Sequence, residues 1–260
     1  TNSESMTSKA HIEHDSRSLF LIKLPVARAG FDGFTSAWVY TGGPTVLVDV
    51  GPGSASAALL EALAEISVSR LDYILLTHIH IDHCGGIGTL ARAFDHAPVV
   101  CHPKAISHLV DPQRLWQGSL KTLGDTALAY GPIEPVEAHR IVPADQIDSE
   151  HLTAVATPGH AAHHYSYLIG DLLFAGEAGG VCLSFDDGRF YLRPATPPRF
   201  FLATNLDSID RLLHFTPQII CYGHIGSREN AGSMLRLHRD QLLRWRLMIQ
   251  PFQEKAPVDD

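Results

Sequence analysis

Between residues 77 and 86 the chain reads Thr-His-Ile-His-Ile-Asp-His-Cys-Gly-Gly, placing four potential metal ligands, His78, His80, Asp82 and His83, within six residues. Imidazole nitrogens and carboxylate oxygens are donors that suit zinc, iron or manganese. His78 and His80 flank one apolar residue, so on extended backbone their rings point the same way. Asp82 and His83 leave that line and address a second nearby point, so one loop offers two ligands to each of two cations. A lone histidine is usually a packed or surface residue, but four ligand-type residues in six positions are poorly explained that way. Cys84 adjoins them and reads as a packed thiol.

Two cations need more ligands, and three later segments offer them by one placement rule. His160 follows a strand expected to end at Thr157, Glu177 one ending at Ala175, and His224 one ending at Cys221. Each lies beside glycine, which permits close backbone approach to a crowded centre.

The elements that hold these residues follow from periodicity. Residues 19–24, 34–40 and 45–50 read as an opening β-meander. A helix capped by Ser54 or Ser56 then runs to about residue 66, with Ala57, Leu60, Leu63 and Ala64 on one face. Residues 71–76 form a short apolar strand of the doubly covered kind, and the histidine loop follows its C-terminal end, where α/β folds place chemistry. A helix to about residue 94 and a strand at 98–101 come next. Residues 103–143 read as a largely helical insertion over the site (104–110, 115–130, then a Pro- and Glu-rich loop). Its Trp116 and Tyr130 are candidate cavity residues, although packing is their commoner role. Strands are expected at 152–157, 165–169, 172–175 and 218–221, and helices at 198–215 and 231–249. In the last helix Met234, Leu235, Leu242, Trp245 and Met248 are expected to bury, while Arg236, Arg239, Arg244 and Arg246 form a solvated face. The order predicts one α/β domain over 19–250, with tails at 1–18 and 251–260. Met6 is a candidate start.

Acidic residues outnumber basic ones by 28 to 20, a formal charge of −8 that argues against a nucleic-acid partner. The four cysteines are scattered and form no CxxC, which predicts reduced thiols. No apolar run reaches the roughly 18 residues of a membrane span, and the polar first 15 residues carry no signal-peptide core, so the expected compartment is the cytoplasm. The expected partner is a small-molecule substrate, with a homodimer as one assembly state.

The His-x-His-x-Asp-His run (His78, His80, Asp82, His83), Thr-Pro-Gly-His (His160), Gly-Asp-x-Leu-Phe-x-Gly ending in an acid (Glu177) and a late Gly-His (His224) resemble, in order, the motifs of the metallo-β-lactamase-fold metallohydrolases, in their glyoxalase II-like branch. The resemblance covers about residues 19–225. It implies a four-layer αβ/βα sandwich of two mixed sheets covered by helices. It also implies two divalent ions, zinc foremost with iron or manganese as alternatives. His78, His80 and His160 would hold one ion and Asp82, His83 and His224 the other, with Glu177 as bridge. The family usually has aspartate where this chain has Glu177.

By the same resemblance the reaction is hydrolysis by a metal-bound hydroxide. Asp82 would orient the water, and His164 would contact an intermediate or support the ligands, with His163 less certain. Tyr165, Tyr191 and Tyr222 are candidate proton donors that read more readily as packed, Asp171 as a hairpin or supporting residue, and Asp49 as a hydrogen-bonding support for the ligand loop. Esters, thioesters or lactones are the expected substrates. The basic cluster for glutathione is not clearly matched, Arg228 and Arg236 being its only stand-ins. Competing readings are a mononuclear iron sulfur dioxygenase of the same fold, a phosphodiesterase, and a non-catalytic metal-binding protein.

Overall fold

The structure is a computed structural model that describes residues 9–15, 18–31, 33–185 and 187–253. The first half builds β1 (His11–Asp15), β2 (Leu19–Lys23), β3 (Ser36–Tyr40), β4 (Val46–Val48), α1 (Ser56–Glu65), β5 (Tyr73–Leu75), α2 (Ile81–Cys84), α3 (Ile87–Ala93) and β6 (Val99–Cys101). Helices α4 (Ile106–Val110), α5 (Gln113–Leu123) and α6 (Asp125–Tyr130) lead to β7 (Ile141–Pro143). The second half contains β8 (Thr153–Ala156), β9 (Tyr165–Ile169), β10 (Leu172–Gly176), β11 (Val181–Ser184), β12 (Phe190–Arg193), α7 (Leu202–Leu213), β13 (Ile219–Tyr222), β14 (Ser227–Glu229) and α8 (Ala231–Gln253).

Strands β1 to β7 form one sheet in sequence order, antiparallel through β4 and parallel from there to β7. The second sheet has the order β14-β13-β10-β9-β8, with β10 and β13 parallel. Strands buried on both faces need cover on both, and that demand generates the layers. Leu47, Ile74 and Val99 pack under Leu59 and Leu63 of α1 and Ile87 and Leu90 of α3. Between the sheets, Trp38, Val48, Leu75 and Val100 meet Tyr167, Phe174 and Cys221. Beyond the second sheet, Leu173 and Ile220 pack against Ile209 and Leu212 of α7 and Leu235 and Leu242 of α8. The result is the expected four-layer sandwich.

Several expectations are corrected. The N-terminal tail is not structureless as far as residue 18: β1 pairs with β2 from His11↔Lys23 to Asp15↔Leu19, while residues 1–8, 16 and 17 lie outside the described residues. The helical insertion ends before residue 143, because Ile141 and Val142 pair with Val99 and Val100 as the sheet's edge strand. Its long helix is split at Gly124, whose φ of 53° a helix cannot continue through. α1 buries Ser56, Leu59, Ala62 and Leu63, a face rotated from the one expected, and the Ser56 hydroxyl donates back to Gly53 O. The β11–β12 hairpin is additional; Asp187-Gly188 between alternating residues is its sequence signal. α8 continues to Gln253, with residues 254–260 outside the described part.

Candidate metal centre

The loop after β5 is tied to both sheets before it reaches the histidines. Thr77 N–H donates to Asp49 Oδ1 at 2.8 Å, Tyr165 N–H donates to Thr77 O at 2.7 Å, and the Tyr167 hydroxyl donates to Leu76 O at 2.9 Å. His80 is extended (φ −67°, ψ 142°), and α2 begins at the next residue. That change of conformation turns Asp82 and His83 away from the line of His78 and His80.

The structure brings all seven expected residues together at the seam between the sheets, as two sets: His78, His80, His160 and Glu177, and Asp82, His83 and His224. Within the first, His80 Nδ1 lies 3.0 Å from both His78 Nε2 and His160 Nε2. Within the second, His83 Nε2 and His224 Nε2 are 3.2 Å apart, with Asp82 Oδ2 at 3.8 and 3.6 Å from them. Glu177 faces both. Its Oε2 is 2.7 Å from His160 Nε2 and 3.4 Å from His78 Nε2, and its Oε1 is 3.4 Å from His224 Nε2.

The opposite nitrogens show what the inner ones are. His160 Nδ1 contacts Ala195 O at 3.0 Å and His224 Nδ1 contacts Phe34 O at 3.0 Å. A carbonyl oxygen only accepts, so both rings carry a proton on Nδ1, which in the neutral imidazole leaves the Nε2 lone pair turned inward. His83 Nδ1 is held at 2.9 Å by Asp49 Oδ2. Asp49 sits at φ 57°, a strained conformation for a residue with a side chain, and from there it grips both Thr77 and His83. Inward lone pairs about 3 Å apart, alongside buried carboxylates, repel one another unless a cation or a proton lies between them. This donor set fits divalent metal ions. Without thiolates it suits zinc, iron and manganese alike.

The electrostatics agree. Burial opposes a charge on His83, yet the carboxylates of Asp82 and Asp49 outweigh it and raise its pKa to about 10. Burial likewise opposes charge on His160, and Glu177 overcomes it, raising that pKa. Glu177, although buried, is held well below the usual carboxylate range by His160 and His224. Burial, then His160, lowers His80 to about 4. The carboxylates draw positive charge into the centre.

Of the two roles expected for His164, contact with an intermediate or support of the ligands, its surroundings fit the second. It is fully buried, its Nδ1 is 2.8 Å from Thr157 Oγ1, and its Nε2 accepts the Glu177 N–H at 3.1 Å. Both ring nitrogens are used within the protein, so His164 positions Glu177. Gly176 is required beside it, because a Cβ there would lie 2.5 Å from His164 Nε2 at a φ of 55°. His163 is half-buried, its ring 6.0 Å from that of His80.

Tyr165 and Tyr222 are buried in the packing layers, and Tyr191 is exposed on β12. Arg228 is committed to Ser184 and to the Phe190 ring, Arg236 is exposed, and Cys84 is buried without a ligand position. Asp171 closes the β9–β10 turn, its carbonyl accepting from Gln218 and Ile219. Trp116 and Tyr130 join a packing cluster with Val26 and Ile81. Sequence reasoning missed Phe34, whose ring stacks on His224 at 4.1 Å and whose carbonyl fixes it, and Ala195. Both act through backbone carbonyls, for which residue type gives no signal.

Comparison with known proteins agrees with this geometry. The model of the metallo-beta-lactamase superfamily matches residues 30–224, and the chain belongs to that superfamily. It is 27% identical over 217 residues to the metallo-beta-lactamase fold-containing protein ST1585 of Sulfurisphaera tokodaii, covering 79% of this chain and 78% of that protein. The crystal structure of ST1585 superposes with a TM-score of 0.72 over 88% of this chain and 87% of the other. The hydroxyacylglutathione hydrolase of Acidiphilium cryptum is 32% identical over 197 residues, 75% of this chain; the chain spans 66% of that protein's length. A metallo-beta-lactamase family protein of Thermus thermophilus, TTHA1429, shares the fold at 23% identity and a TM-score of 0.60, covering 92% and 81% of the two chains.

Proposed function

We propose that the protein is a metal-dependent hydrolase of an ester, thioester or lactone-type small molecule, with His78, His80 and His160 holding one divalent ion, Asp82, His83 and His224 a second, and Glu177 placed between them. The observation that carries this reading is the pair of facing donor sets with Glu177 directed at both. When bound, two such cations acidify water and polarise the oxygen of the bond under attack. The chain's own residues do the rest. Asp82, the more exposed of the two centre carboxylates, accepts a hydrogen bond from the attacking water. Asp49, Phe34 and Ala195 keep the ligand rings in one tautomer, and His164 keeps Glu177 in place.

The thioester option is supported by the likeness to hydroxyacylglutathione hydrolases, and the net charge of −8 favours a small molecule over a nucleic acid. No helix among the described residues is long and apolar enough to cross a membrane. The test is metal content by mass spectrometry alongside turnover of thioester, lactone, ester and phosphodiester panels. Two metals per chain with thioester or lactone turnover is the expected result. One iron per chain with O₂ consumption on a persulfide would refute it.

A further inference from the structure

The centre opens to solvent at His80 and Asp82, its two half-buried ligands. A wall of aromatic rings stands on the side of Asp82 and His224. Most of it comes from the loop between β2 and β3, folded as two successive turns in which Phe31 N–H donates to Arg28 O and Phe34 N–H to Phe31 O, each at 3.1 Å. Phe34 stacks on His224 at 4.1 Å, Phe31 meets Phe34 edge-on at 6.1 Å, and the Arg28 guanidinium lies 5.4 Å from the centroid of the Phe31 ring. Tyr130, the last residue of α6, completes the wall, its ring edge-on to Phe31 at 6.1 Å.

Two polar groups on this wall are left uncommitted. Arg28 is exposed and, among the described residues, pairs with no carboxylate, in a chain where acids outnumber bases 28 to 20. Its contact with the Phe31 ring ties none of the five guanidinium N–H donors to an acceptor atom. Tyr130 is only 3% exposed, and a phenol so enclosed ordinarily finds a hydrogen-bond partner. Its hydroxyl has none among the described residues, yet it is not a sealed atom either, so it reaches open space. That space adjoins the centre: burial first, then the carboxylates of Asp82 and Glu177, push the phenol pKa up, while Arg28 pulls it back. Phenylalanine would fill the same place beside Val26 and Ile81, so packing does not call for the hydroxyl.

We infer that Arg28 and the Tyr130 hydroxyl set the specificity of the proposed active site by binding a carboxylate carried by the substrate, with Phe31 and Phe34 lining the apolar spacer between that carboxylate and the bond to be cleaved. The substrate class is a half-ester or half-thioester of a dicarboxylic acid, an assignment that rests on the hydrolase reading. A guanidinium offers two parallel N–H bonds to a carboxylate, and the phenol adds a third donor. One positive charge and one neutral hydroxyl, placed near two carboxylates of the protein, suit a planar anion of single charge better than a phosphate dianion.

The test uses the full, metal-loaded chain and two thioesters of thiophenol that differ only at the far end, the half-thioester of adipic acid and its uncharged monoamide. The native chain is expected to favour the carboxylate by about tenfold in kcat/KM, the worth of one charge-assisted hydrogen bond. Arg28→Met should abolish that preference through KM while metal content stays full, and Arg28→Lys should restore part of it. Tyr130→Phe keeps the ring and should reduce the preference about threefold. A purely structural role for either residue would lower turnover of both thioesters together and leave their ratio intact. Turnover without preference for the carboxylate, or a preference that survives Arg28→Met, overturns the inference and leaves the hydrolase reading standing. A native chain that turns over neither these thioesters nor the wider panel removes the hydrolase reading, and this inference with it.

Discussion

Asp49 Oδ2 lies 2.9 Å from His83 Nδ1, and the same carboxylate accepts both the backbone N–H and the hydroxyl of Thr77. One side chain from the end of β4 therefore fixes the start of the ligand loop and the tautomer of a ligand on it. Asn at position 49 keeps the size and tolerates the positive φ while removing the charge. Asp49→Asn should weaken metal affinity by about 10–100-fold, measured by chelator competition; unchanged affinity would contradict the role given to Asp49.

Glu177 reaches both donor sets across the seam. Glu177→Asp withdraws the carboxylate by about 1.5 Å but keeps the charge and matches the usual residue of the family. It should retain two metals and activity within about tenfold, a loss of up to about 1.4 kcal/mol. Glu177→Ala should lose one metal per chain. Mass spectrometry and kcat/KM check both, and full metal content with no activity in Glu177→Asp would defeat the bridging assignment.

His164 supports Glu177 from behind, with both nitrogens engaged. His164→Leu leaves the Glu177 N–H without its acceptor, at a cost of about 1–3 kcal/mol in stability. His164→Gln can restore an acceptor. Activity in the Leu variant should fall with metal content and recover in the Gln variant. Activity per bound metal that collapses in both would show that His164 acts on the substrate.

His238 tests acid sensitivity away from the centre. It lies on the buried face of α8, and burial lowers its pKa from 6.5 to about 4. Above pH 6.5 both folded and unfolded chains hold it neutral. As pH falls from 6.5 towards 4, the unfolded chain takes up a proton that the folded one refuses, so stability drops, by about 3 kcal/mol over that window. His238→Leu should flatten the dependence of the denaturation midpoint on pH between 6.5 and 4; an unaltered slope would assign the acid sensitivity elsewhere.

The candidate ligands were legible because their types and spacing are rare together, and the sheets because alternating or wholly apolar runs mark half-covered and fully covered strands. Glu177 stood out as an acid at a strand end beside glycine. Less legible were features set by tertiary context. The packed face of α1 depends on how the helix is rotated over β4 and β5. Val142 and Pro143 become strand only because β6 offers an open edge. His164 differs from the ligands solely in what surrounds it, and the holding of His160 and His224 falls to carbonyls that every residue possesses.

The donor sets do not belong to one half of the molecule. His78, His80, Asp82 and His83 arise from the first sheet, His160, Glu177 and His224 from the second, and Trp38 Nε1 reaches across to Tyr222 O at 2.7 Å. A cation bound there is a rivet through two plates. Its grip on the folded chain, about 4 kcal/mol at a thousandfold excess over Kd, is exerted on the joint itself. Chelation should therefore raise amide hydrogen exchange first in β5 and β10, the strands that face each other across that joint, before the outer helices respond.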